Sequence, residues 1–494
     1  MRNMNVLIIG AGIGGIASAA RLAKLGYKVK ILEKNEIPGG RCGYMEIQGH
    51  RFDTGPTLYL MPELYRKAFN VLGENIEDHI ELSRIDPTYR INFPDGQQFI
   101  LSSDLSRMKT QLEEIETGSF QSYLEYLEEG LDHYRIALPA IVTKQFLTPL
   151  SFFNFKNLQL IYKLKALQKH YQRIGNFFID ERLKFSFIFQ NLYMGLNPYE
   201  APAIYSMMPY TELVDGVWFP KGGMYSVTEA LIKIAVKNGV EFEYSSPVAK
   251  ILIENKKAIG VRLKDGRCYH SEIIVTNADL SYVYKELLQE SKVSKRLVNK
   301  KYGCSAMTFF WGVNGTIPQL GPHNLLLGED MKSGFEKIFN NLDLSESPSF
   351  YVHAPVRIDP SLAPHGDDSL VISVPVPHLN SKDPQDWNEL VFQSRKYIYQ
   401  RLKNLGIPDI EDLIKFEIVF TPEDWENRYN LTKGSAHGLG HDLLQMGYMR
   451  PANRHKNIHN LYFVGASTHP GTGLPSVLTS AEFVTDRIMM DNKL

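Results

Sequence analysis

"VLIIGAGIGGIASAARLAKLGYKVKILEKNEIPGGRCG", Val6–Gly43, decides the fold. Asn5–Ile9 reads as a short buried parallel strand, Ile16–Leu25 has the apolar spacing of a helix that stops at Gly26, and Lys28–Leu32 reads as a second strand ending at Glu33. Gly10-x-Gly12-x-x-Gly15 stands between the first strand and the helix. Strand, glycine turn, helix, strand and acid, in that order, make a dinucleotide fingerprint. Gly10 permits the tight turn, Gly12 lets the backbone approach a pyrophosphate, and Gly15 lets helix and strand pack closely. The helix N-terminus at Ile13 and Gly14 then offers unpaired N–H groups to the phosphates. Glu33, followed by Lys34, is placed to accept a hydrogen bond from a ribose hydroxyl and disfavours a 2′-phosphate, which argues against NADP.

The fingerprint alone does not separate NAD from FAD, but the residues after it do more. Pro38-Gly39-Gly40-Arg41 forms a second glycine loop, and "GHRFDTGPTLYLMP" (Gly49–Pro62) adds a Gly-Pro turn at Gly55, Pro56 and Thr57. Extra glycine loops with an arginine suit a longer cofactor lying across the domain, so FAD is the expected cofactor. "NLYFVGASTHPGTGLPSVLTSAEFVTDRIM" (Asn460–Met489) repeats the logic: a strand at Leu461–Val464, a glycine-rich loop at Gly465–Pro475, and a helix from Ser476. Gly465, Ala466, Gly473, Leu474 and Pro475 are expected to meet the flavin end of the cofactor, so both ends of the sequence clasp it. Lys237–Asp279 reads as a strand meander returning to the nucleotide domain, with Val248 either in the core or beside the adenine, and with Asn277 at a strand end, where ligands sit in parallel sheets.

The 494 residues are too many for one ordinary core. A formal net charge of −1 gives no reason to expect a nucleic-acid partner. Cys42, Cys268 and Cys304 have no paired spacing, so neither a disulfide framework nor a metal site is indicated. The apolar run at Met4–Ile9 is too short for a signal peptide and no run is long enough to span a bilayer, so any membrane contact is expected from the side.

Beyond the fingerprint, "DERLKFSFIFQNLYMGLNPYEAPAIYSMMPYTELVDGVWFPKGGMYSV" (Asp180–Val227) and "NLYFVGASTHPGTGLPSVL" (Asn460–Leu478) are far more specific. Together with Ser349–Pro364 and Gly438–His455, they make the chain resemble, over nearly its whole length, the bacterial and fungal type of phytoene desaturase, a family of FAD-dependent carotenoid desaturases. The resemblance implies a flavin that takes two electrons from a CH2–CH2 unit of a long apolar carotene and passes them to oxygen or a quinone. It also implies a cytoplasmic protein bound peripherally to a membrane, since the extra hydrophobic anchor of fungal members is not seen before Leu494. It admits an oligomer. A carotenoid isomerase, a desaturase of a modified carotene, a prenyl-lipid escort protein without redox work and an amine oxidase remain alternatives.

Lys144–Phe189 supports a lipid setting independently. Phe152, Phe153, Phe155, Leu158, Leu160, Ile161 and Leu164 are interleaved with Lys156, Lys163, Lys165, Lys169 and Arg173, with few acids between them. Such an apolar and basic surface suits anionic headgroups or the mouth of a substrate tunnel, although helical faces of this kind also pack on cores. For the chemistry, Glu212 and Asp215 are the candidate catalytic carboxylates, since an acid in an apolar cleft has its pKa raised and can take a proton. Lys221 follows them, and His437 and His441 are candidates either as bases or as positioning groups.

The expected fold is α/β: a Rossmann-type FAD-binding domain with a discontinuous substrate domain of mixed sheet plus a helical, membrane-facing portion. The FAD-binding domain takes residues 1–85, 221–290 and 455–494. The substrate domain takes a helical part at 86–220 and a mixed sheet at 291–454.

Overall fold

The computed structural model describes residues 4–492 except 381, 383 and 408, so the extreme ends of the first and last segments lie outside the described residues. Strand β1 (Asn5–Ile9), helix α1 (Ile13–Lys24) and strand β2 (Lys28–Leu32) form as their apolar patterns require. Val6–Ile9 is buried throughout, the mark of a strand covered on both faces.

β1 and β2 are the centre of a five-stranded parallel sheet. Its order runs Leu461–Phe463, Ile273–Thr276, β1, β2, Glu241–Glu243. The register aligns Ile9 with Thr276 and with Leu32, and Thr276 with Phe463, so the strands end together along one edge. α1 packs between helix Tyr225–Lys237 and helix Leu474–Asp491, and its alanines and glycines let both approach. Before the chain re-enters this sheet at Ile273, it makes a three-stranded antiparallel blade from Val248–Glu254, Lys257–Leu263 and Cys268–His270.

A second sheet has seven strands, in the order Ile414–Phe420, Ser305–Val313, Asp368–Val376, Phe350–His353, His323–Leu326, Tyr89–Asn92, Gln98–Leu101. Its neighbours are antiparallel except where Asn324–Leu326 runs parallel to Arg90–Asn92. The last two strands come from the segment read as helical. Their alternation, with Ile91, Phe99 and Leu101 buried, is completed by a partner more than two hundred residues away in sequence.

The helical layer begins at Leu105, where the Asp104 carboxylate accepts from the backbone N–H of Ser106 and Arg107 and caps the helix Leu105–Ile115. The longer helix Ser119–Ala137 follows. Residues 144–189 form only short helices, Pro149–Phe152, Phe155–Lys163, His170–Ile174 and Glu181–Ser186. Aromatic side chains join this layer to the second sheet, with Phe187 edge-on to Phe99 and Phe189 edge-on to Tyr89. No helix among the described residues is long and apolar enough to cross a membrane.

Candidate active site

The aligned ends of the parallel strands carry the glycine loops. Gly10 adopts φ +96°, a conformation that strains any residue with a Cβ, and its N–H donates to the Leu32 carbonyl at 2.8 Å. A Cβ on Gly15 would collide with the carbonyl oxygen of Gly10, which is why helix and strand can pack so closely only with glycine there. The second glycine loop lies directly against the first: the Gly39 N–H donates to the Ala11 carbonyl at 2.8 Å and Gly12 forms a β-bridge with Gly39. The loop of the last segment closes the cradle through Asn277. A Cβ on Gly14 would stand 2.6 Å from the Asn277 Oδ1, and one on Gly465 would stand 2.8 Å from it.

Glu33 is buried, and each of its carboxylate oxygens accepts one backbone N–H, from Ala11 at 2.7 Å and from Asn35 at 2.8 Å. Burial raises its pKa and these donors oppose the rise. Each oxygen keeps lone pairs for a further donor. Lys34 lies beside it, with its ammonium held by the Asn427 carbonyl at 2.8 Å and the Asn430 side chain at 3.1 Å.

These loops open into a single cavity of about 710 Å3 that continues between the second sheet and the helical layer. Every cofactor residue expected from the sequence lines it except Gly15, which packs behind Gly10. At one end the wall is the glycine cradle with Glu33, Arg41, Asn277 and Pro475. At the other it is apolar and aromatic: Phe185, Phe189, Leu192, Leu325, Phe335 and the tyrosines Tyr89, Tyr193 and Tyr351. A third part of the wall, Ile141, Val142, Met446 and Gly447, adjoins the short helices after residue 144, where Phe152 packs against Gly447.

The candidate carboxylates are placed differently. Glu212 is fully buried one layer behind the wall, with Oε2 accepting from the Tyr193 hydroxyl at 2.8 Å. Asp215 is away from the cavity, among Tyr134, Tyr210 and Glu63. Lys221 is exposed and pairs with Glu81 at 3.1 Å. His437 and His441 line the cavity, and both hold its loops: the Thr472 N–H donates to His441 Nε2 at 3.1 Å, and the Thr472 hydroxyl donates to the His437 carbonyl at 2.8 Å. Burial pushes the pKa of both imidazoles down.

Several residues that matter here are not signalled by local sequence. Arg450 is buried and donates to the carbonyls of Ala466 at 2.7 Å, Thr468 at 3.0 Å, Gly440 at 3.0 Å and Leu439 at 3.2 Å, which stitches two loops of the wall together. Burial brings its pKa down to about 10. The Asp53 carboxylate accepts from the N–H groups of Met224 and Tyr225 at 2.7 and 2.9 Å, fixing the start of helix Tyr225–Lys237 against the cradle. Tyr89, Tyr193 and Tyr351 belong to three distant segments, so only the fold shows that they share a chamber.

The sequence matches the family model of flavin-containing amine oxidoreductases over residues 13–307. It is 40% identical to a zeta-carotene-forming phytoene desaturase of Myxococcus xanthus over 98% of this chain and 93% of that protein. The chain belongs to the phytoene desaturases, within the flavin-containing amine oxidoreductases. A phytoene desaturase of Phycomyces blakesleeanus is likewise 40% identical, over 98% of this chain and 85% of that one. An oxidoreductase of known structure from Methanosarcina mazei shares the fold, with a TM-score of 0.66 at 17% identity, covering 98% of this chain and 100% of that one. As a phytoene desaturase family member the protein is an FAD oxidoreductase acting on CH–CH. The cradle suits such a cofactor: two glycine loops lie against each other, a carboxylate keeps free lone pairs at a strand end, and the N-terminus of helix Leu474–Asp491 borders the cavity. No group of side chains among the described residues could hold a metal ion.

Proposed function

We propose that this protein desaturates phytoene or a closely related long-chain carotene. The observation that carries the reading is the continuity of the cavity, from a dinucleotide cradle into a chamber lined mainly by aromatic and aliphatic side chains, with no group of three or more His, Cys, Asp or Glu side chains among the described residues that could hold a metal ion. Bound FAD supplies the two-electron oxidation. The chain's own part is to bind, orient and exclude water. Gly10, Gly12, Ile13 and Gly14 would face the pyrophosphate, Glu33 a ribose hydroxyl, and Val248 the adenine. Gly40, Arg41, Gly55–Thr57, Asn277, Gly465, Ala466 and Gly473–Pro475 would hold the ribityl chain and ring, with Lys34 held at the rim. Phe185, Phe189, Leu192 and Phe335 would hold the polyene in a dry groove. The strand pairings support a discontinuous cofactor domain drawn from residues 1–85, 221–290 and 455–494.

The same reading includes peripheral docking on a membrane, from which the substrate enters. Leu150 is 80% exposed, Phe155 75% and Tyr162 87%, and Leu158 and Leu167 are exposed beside them. Solvent exposure of so many large apolar groups on one segment marks an interaction surface. Ion pairing modifies the basic character read from the sequence: Arg173 and Lys165 both pair with Glu129, and Lys169 pairs with Glu200. Lys156 and Lys163 carry no ion pair among the described residues, so their charge is left for anionic headgroups beside the exposed apolar side chains.

Anaerobic mixing of the FAD-loaded protein with phytoene-containing liposomes tests the activity. Flavin bleaching with new polyene absorption bands is the expected result, and the band positions report how many double bonds form. A flavin that stays oxidised overturns the reading.

A further inference from the structure

Desaturation removes two C–H bonds and makes one C=C bond. One hydrogen leaves with the electron pair to the flavin; the other leaves as a proton, for which an apolar chamber offers few acceptors. At the chamber end of the cavity the hydroxyls of Tyr89, Tyr193 and Tyr351 stand with those of Thr308, Ser349 and Ser373, whereas the lining carboxylates, Glu33, Asp53 and Asp279, belong to the cradle end. These three already accept backbone or hydroxyl donors there.

We propose that Tyr193 is the proton-relaying residue at the chamber wall and that Glu212, acting through it, is the positioning residue that stores the proton. The inference rests on the desaturase reading above. The Tyr193 hydroxyl lies 2.8 Å from Glu212 Oε2 and 2.9 Å from the Tyr89 hydroxyl. One hydroxyl carries one proton, so with Glu212 ionised, Tyr193 donates to the carboxylate, accepts from Tyr89, and keeps one lone pair for the chamber. The substrate proton bonds to that lone pair as the tyrosine's own proton passes to Oε2. Carbon loses a proton, Glu212 becomes a neutral acid, and both hydroxyls are restored. Once product has left, Glu212 returns the proton by the same route to water entering the chamber, which restores the carboxylate before the next turnover.

Two further features fit a store better than a structural strut. Glu212 is 0% exposed, and its second oxygen, Oε1, makes no well-formed hydrogen bond among the described residues, although Gln190 and Thr88 stand near enough to hold its pKa down. No cation faces it. Its surroundings are Tyr193, Gln190 and Thr88, with Tyr89, Tyr123 and Tyr126 at longer range, and burial pushes its pKa up to about 7 despite the Tyr193 hydrogen bond and the opposing pull of Gln190 and Thr88. The imidazoles are poorer acceptors, His437 and His441 on the cavity wall being lowered by burial as is the pair beside Tyr351. His353 is pushed down to about 4 by burial, and His323, stacked on it at 4.8 Å, lies well below its ordinary value.

The test uses the FAD-loaded enzyme with phytoene liposomes, comparing parent, Glu212→Gln and Tyr193→Phe. Because the carboxylate form accepts the proton, the parent rate should rise with pH through about 7. Each variant should lower kcat roughly tenfold to a hundredfold, flatten that rise and leave KM and flavin content unchanged. Infrared titration of the FAD-loaded protein without substrate gives a readout independent of turnover: the parent-minus-Glu212→Gln difference shows a carboxylic-acid C=O band that grows as pH falls through about 7, while the Asp53 band, which grows nearer 6, is common to both and cancels. Unchanged pH profiles in both variants, or a Glu212 band that does not titrate near neutrality, overturns the relay while leaving desaturation standing. No flavin bleaching in the parent at any pH overturns the parent reading and the relay with it.

Discussion

The cradle and the chamber are two ends of one cavity, built by opposite means. The cradle is made of backbone: glycines held against one another and strand ends in parallel register, with the Glu33 and Asp53 carboxylates partnered by N–H groups. The chamber is made of side chains from residues as far apart as Tyr89, Phe189, Leu325 and Tyr351. A backbone site is specified by short motifs, because each glycine is required by its immediate neighbours. A side-chain chamber is specified by packing, and many sequences of similar volume can line it. The cradle should therefore fail abruptly under single changes, and the chamber should yield by degrees.

The largest effect is expected at Gly15. Gly15→Ala drives a Cβ into the Gly10 carbonyl, so the helix must leave the strand; a loss of about 3–5 kcal/mol is expected. The purified variant should show almost no flavin absorbance and a lower Tm. Normal flavin content would show that the cradle gives as readily as a side-chain site.

In the chamber, Phe335→Ala removes a buried ring stacked on Phe185 with centroids 6.0 Å apart. A stability loss of about 3–4 kcal/mol is expected, with flavin retained and the distribution of products altered. Denaturant unfolding and chromatography of the products measure the two. Flavin loss in this variant would erase the contrast between the two ends.

Glu129 sharpens the comparison away from the cavity. Its burial favours the neutral form, but hydrogen bonds from Arg173 and Lys165 outweigh that and lower its pKa. A depressed carboxylate pKa adds stability that is present above the unfolded value and is lost as pH falls through the folded one. Glu129→Gln should cost about 1–2 kcal/mol at neutral pH, the deficit narrowing in acid, as thermal unfolding across that range would report. A deficit independent of pH would mean that packing, not charge, is what Glu129 supplies.

The smallest effect on stability is expected at the exposed apolar segment. Leu158→Ser and Tyr162→Ser should shift stability by less than about 0.5 kcal/mol, because neither side chain is buried. Flotation with liposomes should nevertheless fall, together with activity on liposome-borne substrate. Unchanged flotation would assign these side chains another role.

The legibility of the two ends followed from the same contrast. Gly10, Gly12, Glu33, Gly40 and the Gly465–Pro475 loop could be read from the sequence because each motif is local and its chemistry acts through the backbone. The split between Glu212 and Asp215 could not be read: three residues apart in sequence, one lies behind the cavity wall and the other away from it. Their neighbours come from distant segments. Ion pairing of Lys165, Lys169 and Arg173 was equally hidden, since Glu129 and Glu200 lie outside the basic run.

By itself, the sequence determined the parallel nucleotide sheet, the glycine loops and the apolar character of the middle segment, because hydrophobic period and glycine placement act over a few residues. Only the tertiary structure decided that Tyr89–Asn92 joins a strand from residues 323–326, that Arg450 stitches two loops, and that Tyr193 bridges the chamber to Glu212. Those arrangements depend on long-range burial, where a polar group far from water must take whichever partner the packed fold brings within reach.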